Sequence, residues 1–195
     1  MKYTYKIASL ILLTLFSFSC SESDLIIDEL YDTVDSESGV VLRTIQKPQD
    51  LVSASNPVNN FIALEVEIQE GNGSSYPDFK ELRANIQLFN DQDLIDPVLD
   101  TNGNVAGEKL VATYLPADFE TGPNNLPRIA IEMPTSAITA VFPDAEIGIP
   151  AFISLRYEIE MNDGRVFTNE AIGASVTGGT YFASSFLYKI IFLNI

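Results

Sequence analysis

The stretch Ile62-Ala63-Leu64-Glu65-Val66-Glu67-Ile68-Gln69 alternates apolar with mostly polar side chains at a period of two. Successive side chains of an extended strand point to opposite faces, so Ile62, Leu64, Val66 and Ile68 share one face and Glu65, Glu67 and Gln69 the other. A helix would scatter the same residues around its circumference. The stretch therefore reads as a strand with one buried and one solvated face, and its neighbours follow the same rule. Leu82, Ala84, Ile86 and Leu88 alternate with Arg83, Asn85 and Gln87. Ile153, Leu155, Tyr157, Ile159 and Met161 alternate with Ser154, Arg156, Glu158 and Glu160. Further strands are expected at Val40 to Ile45, Leu110 to Tyr114, Arg128 to Glu132, Val166 to Asn169 and Phe186 to Leu193.

Turn chemistry separates these runs: Gly71-Asn72-Gly73, Asn102-Gly103-Asn104, Gly122-Pro123-Asn124-Asn125 and Asn162-Asp163-Gly164. The last of these sits between two periodic runs and supplies the positive φ angles of a tight hairpin. One short helix is expected at Thr135 to Val141, between Pro134 and Pro143. The terminal run Phe186 to Leu193 is apolar on both faces, which places it inside a sheet rather than at its edge. About seven or eight strands in this pattern imply an all-β chain, and specifically an immunoglobulin-like antiparallel sandwich, with a barrel as the alternative.

The first residues are of another kind. Lys2 and Lys6 precede an apolar run, Ile7 to Phe18, which passes directly into Ser21, Glu22, Ser23 and Asp24. The run falls short of the roughly 20 apolar residues that span about 30 Å of hydrocarbon, so it reads as the core of a secretory signal. Ser17-Phe18-Ser19-Cys20 resembles a bacterial lipobox, with small Ser19 before the cysteine and Ser17 in place of the usual aliphatic residue. Cys20 is the sole cysteine, and acylation explains it better than an odd free thiol in an oxidising compartment. A single acyl chain anchors marginally and two or more anchor stably. The expected organisation is a signal peptide over residues 1–19, an acidic tether over 20–38 from the lipidated Cys20, and one sandwich domain over 39–195.

The chain carries 27 acidic against 11 basic residues and a formal charge of −16. Loss of residues 1–19 removes two lysines and no acid, leaving the mature protein more negative still. Such a surface repels phosphate backbones and anionic headgroups, which argues against nucleic acid and leaves the lipid as the attachment to the membrane. Between Ser21 and Ser38 lie seven acids and no base, a self-repelling spacer. Its first four residues, Ser21, Glu22, Ser23 and Asp24, resemble the acidic signal by which Bacteroidota send lipoproteins to the outer face of the outer membrane. The resulting expectation is a lipid-anchored outer-membrane protein facing the extracellular side.

Four further stretches carry a family likeness. They are Val41-Leu42-Arg43-Thr44-Ile45, then Thr121-Gly122-Pro123-Asn124-Asn125-Leu126-Pro127-Arg128, then Asp163-Gly164-Arg165-Val166-Phe167-Thr168-Asn169, and finally Val176-Thr177-Gly178-Gly179-Thr180-Tyr181-Phe182. In this order the chain resembles a group of small Bacteroidota surface lipoproteins. The resemblance implies association with SusC/SusD-like importers, in which a lipoprotein lid and a barrel take up glycans or peptides. It brings no catalytic or ligand residues with it.

The chain has no histidine, which removes Ser-His-Asp and Cys-His catalysis and the commonest general base, and Cys20 is committed to lipid. Glu158 and Glu160 share a strand face, but alternating acids on a solvated face are ordinary, so the chain reads as a non-catalytic module. Calcium is the one cation whose ligands the sequence supplies: Asp100, Asn102 and Asn104 have the spacing that opens an EF-hand-like loop. The twelfth position is Val111, not glutamate, and Glu108 comes too early. A self-contained polar turn is the simpler reading, and no bound cofactor is expected beyond the lipid. For a glycan or peptide the candidate contacts are exposed aromatics, Tyr76 beside Pro77 and Tyr181 with Phe182, in a chain without tryptophan. Two roles follow: an accessory binding lipoprotein of an importer, or a structural component of another outer-membrane protein complex.

Overall fold

In the computed structural model the described residues are 39–56, 60–71, 76–148, 150–170 and 186–193. All of them fall in one contact unit, 38–195. The strands are β1 (Val40–Gln46), β2 (Leu51–Ser53), β3 (Phe61–Glu70), β4 (Phe79–Phe89), β5 (Lys109–Tyr114), β6 (Glu120–Thr121), β7 (Pro127–Pro134), β8 (Ala151–Met161), β9 (Val166–Phe167) and β10 (Leu187–Leu193). Among the described residues one α-helix, α1 (Thr135–Val141), falls where the sequence places it.

The strands form two sheets. The first has the order β1-β3-β7-β6; the second runs β2-β10-β8-β4-β5, with β9 also paired to β8. Their apolar faces meet in one core, to which Ile62, Leu64, Val66 and Ile68 contribute from β3, Leu82, Ala84, Ile86 and Leu88 from β4, and Ile153, Leu155, Tyr157 and Ile159 from β8. These are the inward sets that the alternation defines, so the all-β, two-sheet reading holds. Strand β10 lies between β2 and β8, inside its sheet, as its two-sided apolarity requires. The Asp163-Gly164 turn joins β8 to β9, with Gly164 at φ +90° and the Asp163 carboxylate accepting the Arg165 N–H at 2.9 Å.

Three features depart from the expectation. The sheets are not antiparallel throughout, because β2 runs parallel to β10. Strands β2 and β6, three and two residues long, have too little sequence to show a period. The expected strand at Val166 to Asn169 stops at Phe167. The chain leaves β1, at the edge of the first sheet, and re-enters as β2 at the edge of the second.

A cross-core bond ties the sheets together. Thr44 of β1 and the Tyr188 hydroxyl of β10 lie 2.7 Å apart, and the Tyr188 ring meets Tyr157 edge to face at 6.1 Å. The Tyr157 hydroxyl is fully buried and makes no hydrogen bond among the described residues. Burial pushes its ionisation well above the ordinary value. Among the described residues no helix is long and apolar enough to cross a membrane.

Candidate functional site

The outer face of the first sheet holds an ion cluster that strand alternation conceals. Glu67 belongs to the polar face of β3, yet it is 0% exposed. Arg43 of β1 donates to its Oε1 at 2.5 Å, and Arg128 of β7 to its Oε2 at 3.2 Å, so the carboxylate bridges the two strands that flank its own. Asn124 adds a contact at 3.3 Å from the β6–β7 connection. That connection closes over the carboxylate at Gly122, where a β-carbon would stand 2.9 Å from Arg128 Nε and 3.0 Å from Glu67 Oε2. Gly122 opens the turn, its carbonyl accepting the Asn125 N–H at 3.0 Å, but the left-handed φ there belongs to Asn125, so glycine serves to make room. Two of the stretches singled out in the sequence, 41–45 and 121–128, therefore converge on one buried carboxylate.

The connection so pinned adjoins β6, which among the described residues is an edge strand of the first sheet, opposite β1. Glu120 stands opposite Arg128 and Thr121 opposite Pro127. Cross-strand partners share a face, so Glu120 lies outward with Arg128, and Thr121 lies inward with Pro127. A groove opens on each side of this short strand. The inner one, about 200 Å³, is lined by Tyr76, Pro77, Phe79, Pro116, Phe119 and Pro127 together with β6. The outer one, about 350 Å³, is lined by Glu65, Asp118, Glu120, Thr121 and Arg128 among others.

The walls of the inner groove are set by local structure. Phe119 packs edge to face on Phe79 at 5.0 Å, and Pro116 opens a short 3-10 turn, Pro116–Asp118, whose Asp118 carboxylate accepts the Leu115 N–H at 2.7 Å. Tyr76 is 79% exposed at the mouth. In the outer groove Arg128 is held by Glu67 and by Glu65 at 3.4 Å, so its charge is already balanced. Glu120 is exposed and has no ion pair among the described residues.

Against models of protein families, against curated proteins and against solved structures, the chain matches none. Nothing in these comparisons links the chain to Bacteroidota surface lipoproteins.

The other candidates divide by position. Cys20, Ser21, Glu22, Ser23 and Asp24 lie outside the described residues, as do Tyr181 and Phe182. Asp100, Asn102 and Asn104 come together in one loop, where the Asp100 Oδ1 accepts the backbone N–H groups of Asn104 and Asn102, both at 2.9 Å. Those bonds, Asn104 first, hold the Asp100 carboxyl below its ordinary value. Glu108 is turned away to Arg156. Among the described residues no group of three or more acids is placed to hold a metal ion. The Asp100 loop borders another groove of about 360 Å³, with Val105, Lys109 and Phe142 on its walls.

Glu158 and Glu160 sit on a face laced with charge pairs. Arg83 reaches Glu158 at 3.2 Å and Glu160 at 3.0 Å, Lys80 reaches Glu160 at 2.6 Å, and Arg156 joins Glu158 at 2.7 Å. Lys80 holds the Glu160 carboxyl below its usual value. Of the sequence candidates among the described residues, Tyr76 alone stands in a groove at β6. Glu67, Phe119, Glu120 and Thr121 were missed; a signal for the first lay in the pairing of Arg43 and Arg128 with the acids of β3.

Proposed function

We propose that this chain is a non-catalytic, lipid-anchored binding module on the outer face of the outer membrane, serving a SusC/SusD-like nutrient importer. The single observation that supports a binding role is the pair of grooves flanking β6, with Tyr76 at one mouth. An apolar, aromatic recess beside a row of polar groups is the usual form of a ligand or partner site. The address rests on Cys20 and the acids after it, and the importer on the four family-like stretches. The finer fold reading belongs with this proposal: an immunoglobulin-like sandwich is favoured by the strand that leaves one sheet edge for the other and by its parallel pairing with the last strand.

Copurification from detergent-solubilised outer membranes tests the importer. The full chain should bring down a SusC/SusD-like pair, and Tyr76→Ala should weaken that recovery without changing the amount of protein at the surface. Recovery of a different outer-membrane assembly would replace this reading with the structural one. Release of the protein from cells whose Cys20 is changed to serine tests the anchor; unchanged membrane retention would remove it.

A further inference from the structure

We infer that the free edge of β6 takes up an extended, positively charged peptide segment as an added strand, with apolar side chains entering the Tyr76 groove and lysine or arginine entering the outer groove. The inference rests on the binding role proposed above only in taking this rim as the binding face, and not on the importer.

The geometry carries it in three steps. First, among the described residues β6 is paired on one side only, to β7, so its outer edge offers backbone groups to an incoming strand. Strand addition draws affinity from main-chain hydrogen bonds and specificity from pockets that receive alternate side chains. Second, such pockets are present in the required phase. A residue set opposite Thr121 faces inward, toward Tyr76, Phe119 and Pro127; its neighbour, set opposite Glu120, faces outward. Apolar and charged recesses thus alternate across one strand, matching the period of two. Third, charge decides the occupant. The outer recess holds Glu65, Asp118 and Glu120 against Arg128 alone, and Arg128 is already engaged by Glu65 and Glu67. The chain as a whole carries −16, which repels an acidic partner and draws a basic one.

The rim is also held in place for the purpose. Glu67, clamped by Arg43 and Arg128, and Gly122, seated against both Glu67 and Arg128, fix the start of the connection that carries β6. A docking edge held by buried, mutually bonded groups loses little order on binding.

The test uses the full chain in detergent and a blocked, fluorescein-labelled peptide alternating lysine with valine, read by fluorescence anisotropy. An otherwise identical glutamate–valine peptide is the charge control. The lysine peptide should bind and the glutamate peptide should not. Tyr76→Ala and Glu120→Lys should each weaken binding about fivefold or more, consistent with the loss of roughly 1 kcal/mol at an interface. Asp93→Lys, an equal charge change in the exposed β4–β5 connection, should weaken it less than twofold. Both rim residues are exposed, so loss of binding with an unchanged circular dichroism spectrum reports the contact and not the fold.

Equal loss from Asp93→Lys and Glu120→Lys would overturn the inference in favour of bulk charge. So would wild-type binding by Tyr76→Ala. Binding of a neutral oligosaccharide that depends on Tyr76 but not on Glu120, with none of the lysine peptide, would also overturn it. Peptide binding with no importer in the copurification would sink the importer and leave the strand-addition site standing.

Discussion

Replacing Glu67 by glutamine keeps the shape of the side chain and removes the charge that two arginines share. The cost follows from where the stranded charges lie. Each charge-assisted hydrogen bond contributes about 1.5–3 kcal/mol when fully formed in the interior. Here the arginine side chains are 28% and 20% exposed, so both recover hydration when released, and Arg128 keeps Glu65 at 3.4 Å. We therefore expect a loss of about 2 kcal/mol, well below the sum of two interior bonds. The opposite deletion is worse. Arg43→Met with Arg128→Met leaves an ionised carboxylate at 0% exposure with the Asn124 amide still donating to it, which costs about 3–5 kcal/mol. Removing all three charges together, with Glu67→Leu added, leaves no buried charge unpaired, since Glu65 and Asn124, which lose partners, are open to water, and should recover most of that loss. Urea unfolding followed by far-ultraviolet circular dichroism provides the measurement, since the chain has no tryptophan to report by fluorescence. If the triple variant is no more stable than the double, or if Glu67→Gln lies within about 0.5 kcal/mol of the wild type, the cluster is not the clamp described.

Three further outcomes follow from the same packing. Gly122→Ala should lower the urea midpoint, by about 1–3 kcal/mol of overpacking, because its methyl meets Arg128 and Glu67 at 2.9 and 3.0 Å; Gly39→Ala, with nothing within 4 Å, should not. Tyr157→Phe should leave stability unchanged or raise it by about 1 kcal/mol, since it removes an unbonded buried hydroxyl. Tyr188→Phe, which breaks the bond to Thr44, should lower stability by a similar amount, and equal signs for the two would refute the assignment. Asp100 binds its proton more weakly in the folded state than in the unfolded one. Its stabilising contribution is therefore complete above its ordinary value of 3.8 and is lost as pH falls through the lowered one. Carboxyl-detected NMR should place its midpoint below 3.8, and Asp100→Asn should flatten that part of the acid limb; a midpoint above 3.8 would contradict the loop geometry.

Most of the fold was legible because strand alternation is a local property. The inward sets of β3, β4 and β8 could be read directly from period two, and the short helix from its bracketing prolines. The site was less legible because it is assembled by pairing rather than by pattern. Glu67 reads as a solvated acid in its own strand; only the registers Arg43↔Glu67 and Glu67↔Arg128 bring cations to both sides of it. Strand β6 is two residues long and has no period to detect. Tyr76 could be singled out by its turn-like surroundings, but its groove depends on Phe119 and Pro127, some forty and fifty residues further along.

The same contrast bears on why the rim is built as it is. A long, flat, apolar edge strand would recruit copies of itself, and natural sheets avoid this by shortening the edge or charging it. Strand β6 does both: it has two residues, and one of them is Glu120. Those devices suppress pairing between identical acidic chains, because each copy would set Glu120 and its neighbours against the same charges on the other. They do not suppress pairing with a segment of opposite charge whose alternate side chains fit the two recesses. Protection against self-association and selection of a basic partner are then one property of the edge, and Glu120→Lys should disturb both. The variant should lose the lysine peptide. Mixed with the unmodified chain at high protein concentration, it should also show weak mixed association in sedimentation, because its altered edge meets one that still carries Glu120 while both edges stay two residues long. A mixture that sediments as monomer alone would separate the two effects and leave the charge on β6 serving the partner only.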